Sequence, residues 1–276
     1  MISNSINTNV GAMIALQNLN ATNVQLAQTQ DRISTGLKVG SAKDNGATWA
    51  IAQGQRAASV SLDAVKDSLA RGSSAIDVAL SAGETVSDLL IQMKAKALAA
   101  SDASLDSTSR AALNEDFKSL RDQIAKVVSN ADFNGANLLK TGAVAIAALA
   151  NADGSSKLTV APEVMALSGS VVTVATGGTI GTVTTATAMI ATVNTSINNV
   201  SASLARLGTK SKAYEAHMSF VSKLQDTINA GVGNLVDADL AKESAKLQAL
   251  QTKQQLGVQA LSIANSTPQS ILGLFR

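Results

Sequence analysis

The chain has 276 residues, a net charge of +2 from 22 basic and 20 acidic residues, and no cysteine. Its basic residues form no run or stripe, which excludes the electrostatic footprint of a nucleic-acid-binding protein, and the lack of cysteine excludes disulfides and thiolate chemistry. Aromatic residues make up only 2% of the chain, so the side chains that dominate enzyme pockets and globular cores are scarce. This composition favours long helices with Ala, Leu and Val stripes over a compact enzyme.

The first predicted helix lies in an uncharged stretch, because no charged residue precedes Asp31. The far end of the chain is similar, with no charge between Lys253 and Arg276. Burying an unpaired charge is costly, so uncharged ends suit burial in a multi-subunit core. Gly36 and Gly40 should end the first helix. Its apolar residues, spaced mostly three, four or seven apart, are Ile6, Val10, Met13, Leu19, Leu26 and Ile33.

Two more helical runs follow. One begins after "SAKDNGATWA" and should end near Ala100, where "SDASLDSTS" supplies loop and N-cap residues. The next ends at the turn-forming stretch "NADFNGANLL". The predicted seam residues of these two runs are Leu62, Leu69, Leu113, Phe117, Leu120 and Ile124.

The amino-acid composition changes between about residues 138 and 187, where Gly, Thr, Val and Ser predominate. We predict short strands in "SKLTV" and "GSVVTVATGG", with Asp153 and Gly154 at a hairpin turn. This β-rich segment should face outward.

Helical spacing then returns over the longest stretch of the chain. Its predicted seam residues are Ile197, Leu204, Tyr214, Met218 and Val221. After Gly231 and Gly233 we predict a final helix, and the assembly residues assigned to this end are Leu240, Leu247, Leu250, Leu261, Leu272 and Phe275. The stripes are narrow, so the helices should pack on one another and on other copies of the chain.

The fold class predicted is mainly α: a long antiparallel coiled-coil rod or bundle, a small β-rich central segment, and N- and C-terminal helices paired with each other. Two different ends suit head-to-tail contacts, which propagate into an open helical filament.

The residues predict no catalytic, cofactor or metal site. His217, the only histidine, is interpreted as a helix boundary residue, and Asp237 and Asp239 as residues that favour the positive end of a helix dipole. Trp49 is predicted to pack at a helix or subunit contact. No run is apolar enough to span a membrane, and no general secretory signal is apparent, so we expect neither membrane insertion nor a cleaved signal peptide.

Both ends of the chain resemble regions of a known protein family. The stretch "SINTNVGAMIALQNLNATNVQLAQTQDRISTGLKVGSAKDNGATWAIAQ" resembles the N-terminal region of bacterial flagellin, and "GVGNLVDADLAKESAKLQALQTKQQLGVQALSIANSTPQSILGLFR" resembles its C-terminal region. With "FNGANLL" at 133–139, the resemblance covers roughly the first 140 and last 85 residues. The lack of large outer domains is similar to the short alphaproteobacterial type.

The resemblance implies an extracellular structural subunit of the bacterial flagellar filament, used for swimming motility. Residues 1–40 and 235–276 would form the inner filament core, and residues 41–234 the rod domain, with an outer segment at about 138–187. The implied partners are other copies of the chain, alone or with other flagellins, together with the flagellar type III export apparatus, a flagellin chaperone, and junction and cap proteins.

The resemblance also implies a receptor-facing stretch at 91–101. There Met93 and Lys96 stand where flagellins recognised by the innate immune receptor have an arginine and a glutamate. Two alternatives stay open at this point: a hook-filament junction protein, which resembles flagellin at both ends, and a cytoplasmic coiled-coil adaptor.

Overall fold

The structure, a computed structural model, describes residues 8–273, with side chains described as far as residue 266. Ile6, Phe275 and the side chain of Leu272 lie outside the described residues. The elements within that range are α1 (Val10–Thr35), α2 (Gly46–Ala100), α3 (Ser107–Asn130), β1 (Ile146–Leu149), β2 (Lys157–Val160), α4 (Val183–Val236) and α5 (Leu240–Gly273). The prediction of a mainly α fold with a small β element is confirmed.

Local capping explains where the first helices begin and end. The side-chain oxygen of Asn9 accepts a hydrogen bond from the backbone N–H of Ala12, and Gly36 closes α1 with a left-handed φ of 71°. Asp106 caps α3 by accepting from Thr108 and Ser109. The predicted breaks at Gly36 and near Ala100 are therefore confirmed.

The chain divides into two compact units, one formed by residues up to 57 with residues from 227 onward, the other by residues 58–226. In the first unit, α1 packs against α5. Asn9 hydrogen-bonds the carbonyl of Ala264, and Asn23 accepts from Gln254. Residue numbers fall on α5 as they rise on α1, so the two helices are antiparallel and the predicted pairing of the terminal helices is confirmed.

The second unit is built on a seam between α2 and α4. Lys66 hydrogen-bonds Gln225, and Lys94 hydrogen-bonds Asn194, so these helices also run antiparallel. Buried positions on α2 alternate three and four residues apart over the whole unit: 62, 65, 69, 72, 76, 79, 83, 86, 90, 93, 97 and 100. On α4 they recur every seven residues: Ala186, Val193, Val200, Leu207, Tyr214 and Val221. Both are coiled-coil periods.

The central segment contains less strand than predicted. Strands β1 and β2 form an antiparallel hairpin with Ile146 opposite Val160, and Gly154 in its turn has a φ of 72°. The stretch "GSVVTVATGG", at residues 169–178, forms turns and contains no strand, so that prediction is wrong.

This stretch is bonded to helices instead of to another strand. Thr173 bonds Ser196, and Asn199 donates to the carbonyls of Ser170 and Val171. Its valines Val171, Val172 and Val174 are buried. Their β propensity is overruled because their apolar side chains pack inside the unit while helix side chains satisfy part of the backbone.

The predicted break at Gly231 and Gly233 is also wrong. Helix α4 continues to Val236, and the chain leaves helical geometry only at 237–239. Val232 and Val236 are buried together with Val39 and Ala52. A glycine inside a helix costs only about 1 kcal/mol, which burial of these valines outweighs.

The two interruptions of the first unit, at 36–45 and 237–239, meet each other. Lys38 and Val39 both donate backbone hydrogen bonds to the carbonyl of Val236, at 2.7 and 3.1 Å, and Ala238 donates to the carbonyl of Gly36. Backbone groups left open by two helix ends are thereby satisfied. Trp49 packs against the buried cluster of Val39, Ala52, Val232 and Val236, as predicted for a helix contact.

Candidate assembly surface

The seam between α1 and α5 follows a heptad pattern on both helices. The less exposed positions alternate three and four residues apart, and Leu19 lies against Gly257, where a methyl group would come within 3.3 Å of Leu19 Cδ1. On α1 these positions are Ala12, Ala15, Leu19, Thr22, Leu26, Thr29 and Ile33; on α5 they are Glu243, Leu247, Leu250, Gln254, Gly257, Leu261 and Ala264.

One ion pair is built into this seam. Arg32 Nη1 lies 3.1 Å from Glu243 Oε1, with 23% and 12% of the two side chains exposed. Arg32 Nε, Glu243 Oε2 and the hydroxyl of Thr29 are buried, and none has a hydrogen-bond partner within the described part of the chain. A buried pair of this kind contributes little net stability, but it penalises any register that separates the two charges.

The outward faces of the same helices are apolar and uncovered. Val24 is 69% exposed and Ile263 is 68% exposed. Charged residues are absent from positions 8–30 and 254–273. The large apolar side chains exposed here are Val10, Met13, Ile14, Leu16 and Val24 on α1, and Leu240, Leu256, Val258 and Ile263 on α5; we call this set the outer face.

The predicted assembly residues divide between these two surfaces. Six of them, Leu19, Leu26, Ile33, Leu247, Leu250 and Leu261, lie in the chain's own α1–α5 seam, whereas Val10, Met13 and Leu240 belong to the outer face. Reading a single stripe missed the rest of the outer face, of which Val24 and Val258 are examples. The signal that could have found it is the uncharged stretch itself, since apolar residues off the stripe have no charged neighbours to solvate that side.

The predicted seam residues of the second unit mostly lie inside it. Leu62, Leu69, Phe117, Ile124, Tyr214 and Val221 are buried, while Leu113, Leu120, Ile197, Leu204 and Met218 are half-buried. Sequence reasoning missed the buried Ser196 and Ser203, whose small polar side chains carry no hydropathy signal. The hydroxyl of Ser196 bonds the carbonyl of Thr192.

The two residues named in the implied receptor-facing stretch differ in their exposure. Met93 is fully buried in the α2 seam, so the expectation that its side chain faces a receptor is wrong. The heptad spacing from Leu90 to Ala97 turns it inward. Lys96 lies at the seam's edge and pairs with Asp116 on α3 at 2.7 Å.

The titratable residues considered in the sequence have structural contacts. His217 Nε2 lies 2.8 Å from the carbonyl oxygen of Ala150, after β1, and Asp239 accepts from the backbone N–H of Lys242 in the first turn of α5. Across residues 8–273, no group of three or more His, Asp and Glu side chains is placed to hold a metal. None of the helices in that range is both long and apolar enough to cross a membrane.

Comparison with known proteins decides the family. The family model for the bacterial flagellin N-terminal helical region matches residues 6–144, and that for the C-terminal helical region matches residues 190–275. This chain belongs to the bacterial flagellin family. Flagellin FljM of Caulobacter vibrioides is 58% identical over 276 residues, covering all of both chains, and a flagellin of Brucella melitensis is 39% identical, covering 99% of each. A crystal structure of Bacillus cereus flagellin aligns with a TM-score of 0.49 at 20% identity, over 56% of this chain and 88% of that one.

As a flagellin, the chain is a structural subunit of the flagellar filament and not an enzyme. It is an extracellular component that self-assembles into a helical polymer and serves motility. The similarity to alphaproteobacterial flagellins of the same length confirms the short type predicted from the sequence. It also favours a filament subunit over the junction protein and the cytoplasmic adaptor.

Proposed function

We propose that this flagellin polymerises through the outer face of α1 and α5, which other copies of the chain cover in the filament. The observation that carries the proposal is the exposure of the nine large apolar side chains of the outer face, eight of which lie in the uncharged stretches 8–30 and 254–273. Exposed apolar patches of this kind mark interaction sites. In this proposal residues 1–40 and 235–276 form the inner filament core, and residues 41–234 form the rod domain.

Assembly would remove the apolar side chains of the outer face from water. Complete burial of a Val, Leu, Ile or Met side chain is worth about 1.5–3 kcal/mol, and the outer-face side chains begin from about half to two-thirds exposure. Several together provide a driving force that no pair within one chain supplies, because α1 and α5 already use their seam residues on each other. A charge placed on this face stays solvated in the monomer and becomes costly only when a second copy covers it.

The test is Val24→Asp, with Ser170→Asp as the matched control. Ser170 is exposed, lies outside both helices, and its side chain has no hydrogen bond among the described residues. We expect Val24→Asp to raise the monomer concentration required for polymerisation by about 100-fold or more, with the circular dichroism of the monomer unchanged. Ser170→Asp should polymerise normally. Normal filaments from Val24→Asp would refute the proposal.

The proposal extends to the partners of the unassembled subunit. Export as an unfolded chain through the flagellar type III apparatus, delivery by a flagellin chaperone, and contact with junction and cap proteins are supported by family membership. A chaperone that covers Leu256, Val258 and Ile263 would also prevent premature polymerisation, since these side chains are exposed on α5. In a strain whose export gate is deleted, the protein should remain inside the cell, and its appearance in the medium would contradict this route.

A further inference from the structure

A tight turn with an unusual backbone follows α3. Phe133 and Ala136 exchange two backbone hydrogen bonds, at 2.9 and 3.0 Å. Between them Asn134 has a φ of 52° and Gly135 a φ of 82°. Two successive positive φ angles between a paired set of residues are typical of a type I′ turn, in which Asn-Gly is the preferred sequence.

The side chain of Asn134 is free in this turn. Asn134 is exposed, and its side-chain amide has no hydrogen-bond partner within residues 8–273. The next backbone N–H, that of Gly135, is held by Asp132 Oδ1 at 2.8 Å. A free asparagine amide followed by glycine, which has no side chain to hinder attack on that amide, combines the two features that intramolecular cyclisation requires.

We propose that Asn134 is a site of spontaneous deamidation in the folded protein. The backbone nitrogen of Gly135 attacks Cγ of Asn134, so that an N–Cγ bond forms and the Cγ–NH₂ bond breaks. The proton of the Gly135 N–H, which is released from Asp132 when the peptide group turns, ends on the departing ammonia. Water then opens the five-membered succinimide to aspartate or isoaspartate. No oxidant or reductant is required, and the product carries one additional negative charge two residues from Asp132.

One peptide rotation separates the backbone of Asn134 from the geometry of this reaction. Ring closure requires ψ of the asparagine near about −120°, which is the value at the first central position of a type II′ turn. Types I′ and II′ share the positive φ at that position. Asn134 therefore reaches the reactive geometry by rotation of one peptide group, at the expense of the single hydrogen bond from Gly135 to Asp132.

The sequence contains one other Asn-Gly pair, Asn45-Gly46, and the structure locks it. The side chain of Asn45 accepts from the backbone N–H of Thr48, and its carbonyl accepts from Trp49 at 2.9 Å, in the first turn of α2. Rotation of the same peptide group there breaks the bond from Trp49 and opens the helix start, and the side chain of Asn45 must also leave Thr48 before Gly46 can attack it. One more hydrogen bond must be broken than at Asn134, which corresponds to a deamidation rate about five- to tenfold slower at Asn45.

The experiment compares the two sites within one sample of the full-length protein. After incubation at mildly alkaline pH in ¹⁸O-labelled water, digestion with trypsin gives the peptides 44–56 and 127–140, each with one Asn-Gly pair. Mass spectrometry measures label uptake in both peptides, and an isoaspartate methyltransferase reports isoaspartate. We expect peptide 127–140 to convert about five to ten times faster than peptide 44–56. In denaturant the two rates should become similar, because the structural difference is removed.

One variant identifies the reacting residue. Asn134→Gln should remove the conversion from peptide 127–140, because a glutamine forms the larger ring far more slowly. The other two asparagines of that peptide, Asn130 and Asn137, precede Ala131 and Leu138 and stay in place as internal controls. The proposal is overturned if Asn45 reacts as fast as Asn134 in the folded protein. It is equally overturned if peptide 127–140 stays unconverted in the folded protein while it converts in denaturant, or if Asn134→Gln still converts.

Discussion

Tyr214 on α4 packs directly over Gly72 on α2. A methyl group at position 72 would lie 2.5 Å from Cε1 of Tyr214, closer than carbon atoms can approach. The ring is buried, its hydroxyl donates to the carbonyl of Leu158 in β2 at 2.7 Å, and burial raises the pKa of this phenol. The absence of a side chain at Gly72 therefore lets a large aromatic residue occupy the seam and bond the hairpin.

This contact predicts opposite effects for two glycine substitutions. Gly72→Ala should lower the free energy of unfolding by about 1–2 kcal/mol, because overpacking exceeds the gain in helix propensity. Gly208→Ala, in α4 with no atom within 4 Å of the added methyl, should raise it by about 0.4–1 kcal/mol. Chemical denaturation of the monomers measures both changes. Equal effects at the two positions would contradict the packing of Tyr214 over Gly72.

The Glu163–Arg206 pair predicts a pH-dependent contribution to stability. Arg206 donates from Nε and Nη2 to the two carboxylate oxygens of Glu163, at 2.7 and 2.6 Å, and these bonds hold the pKa of Glu163 below its ordinary value. A lowered folded-state pKa stabilises the fold above the unfolded value of about 4.3, and that contribution is lost as pH falls through the lower folded value. Arg206 is 58% exposed, so salt should weaken the pair.

Glu163→Gln tests this directly. Its melting temperature should lie below that of the wild type at neutral pH, and the two should converge as the pH falls below about 4. Glu115→Gln breaks an exposed pair with Lys118 within one helix turn, so it should change the melting temperature less at neutral pH. A constant difference for Glu163→Gln across the whole range would show that the carboxylate is not the source of its effect.

Two neighbouring positions on α1 separate folding from assembly. Leu26 lies in the α1–α5 seam, whereas Val24 is on the outer face. Leu26→Asp should place a charge between the chain's own helices and accelerate amide hydrogen exchange in both α1 and α5 of the monomer, by about 100-fold where the pair opens. Val24→Asp should leave that exchange unchanged while still blocking polymerisation. Equal exchange in the two variants would mean that the seam and the outer face are wrongly assigned.

Insertion tolerance should differ sharply within the central segment. Asp153 is exposed in the hairpin turn, so a short epitope inserted there should leave the melting temperature nearly unchanged and be recognised by antibodies in the folded protein. The same insertion after Val172, which is fully buried, should unfold the segment that bonds Ser196 and Asn199. Loss of folding at Asp153, or tolerance at Val172, would contradict this division.

The comparison of Asp153 with Val172 shows where sequence reasoning about the central segment succeeded and where it failed. The hairpin turn follows from Asp-Gly between two β-prone runs, a local signal. Val171 and Val172 carry the same β propensity, yet their burial depends on contacts with α4, distant in sequence. The composition of the segment predicted that all of it faces outward. The structure leaves the hairpin turn exposed but packs residues 171–174 into the second unit.

The sequence by itself determined the helices, the uncharged ends and the family, because three-four spacing, capping residues and end motifs are properties of neighbouring residues. Only the tertiary structure decided which apolar residues of α1 and α5 face each other and which stay open, since Val24 and Leu26 have similar hydropathy and differ only in the direction of their side chains. It also decided that α4 passes through Gly231 and Gly233, because the burial of Val232 and Val236 against Val39 outweighs local glycine propensity.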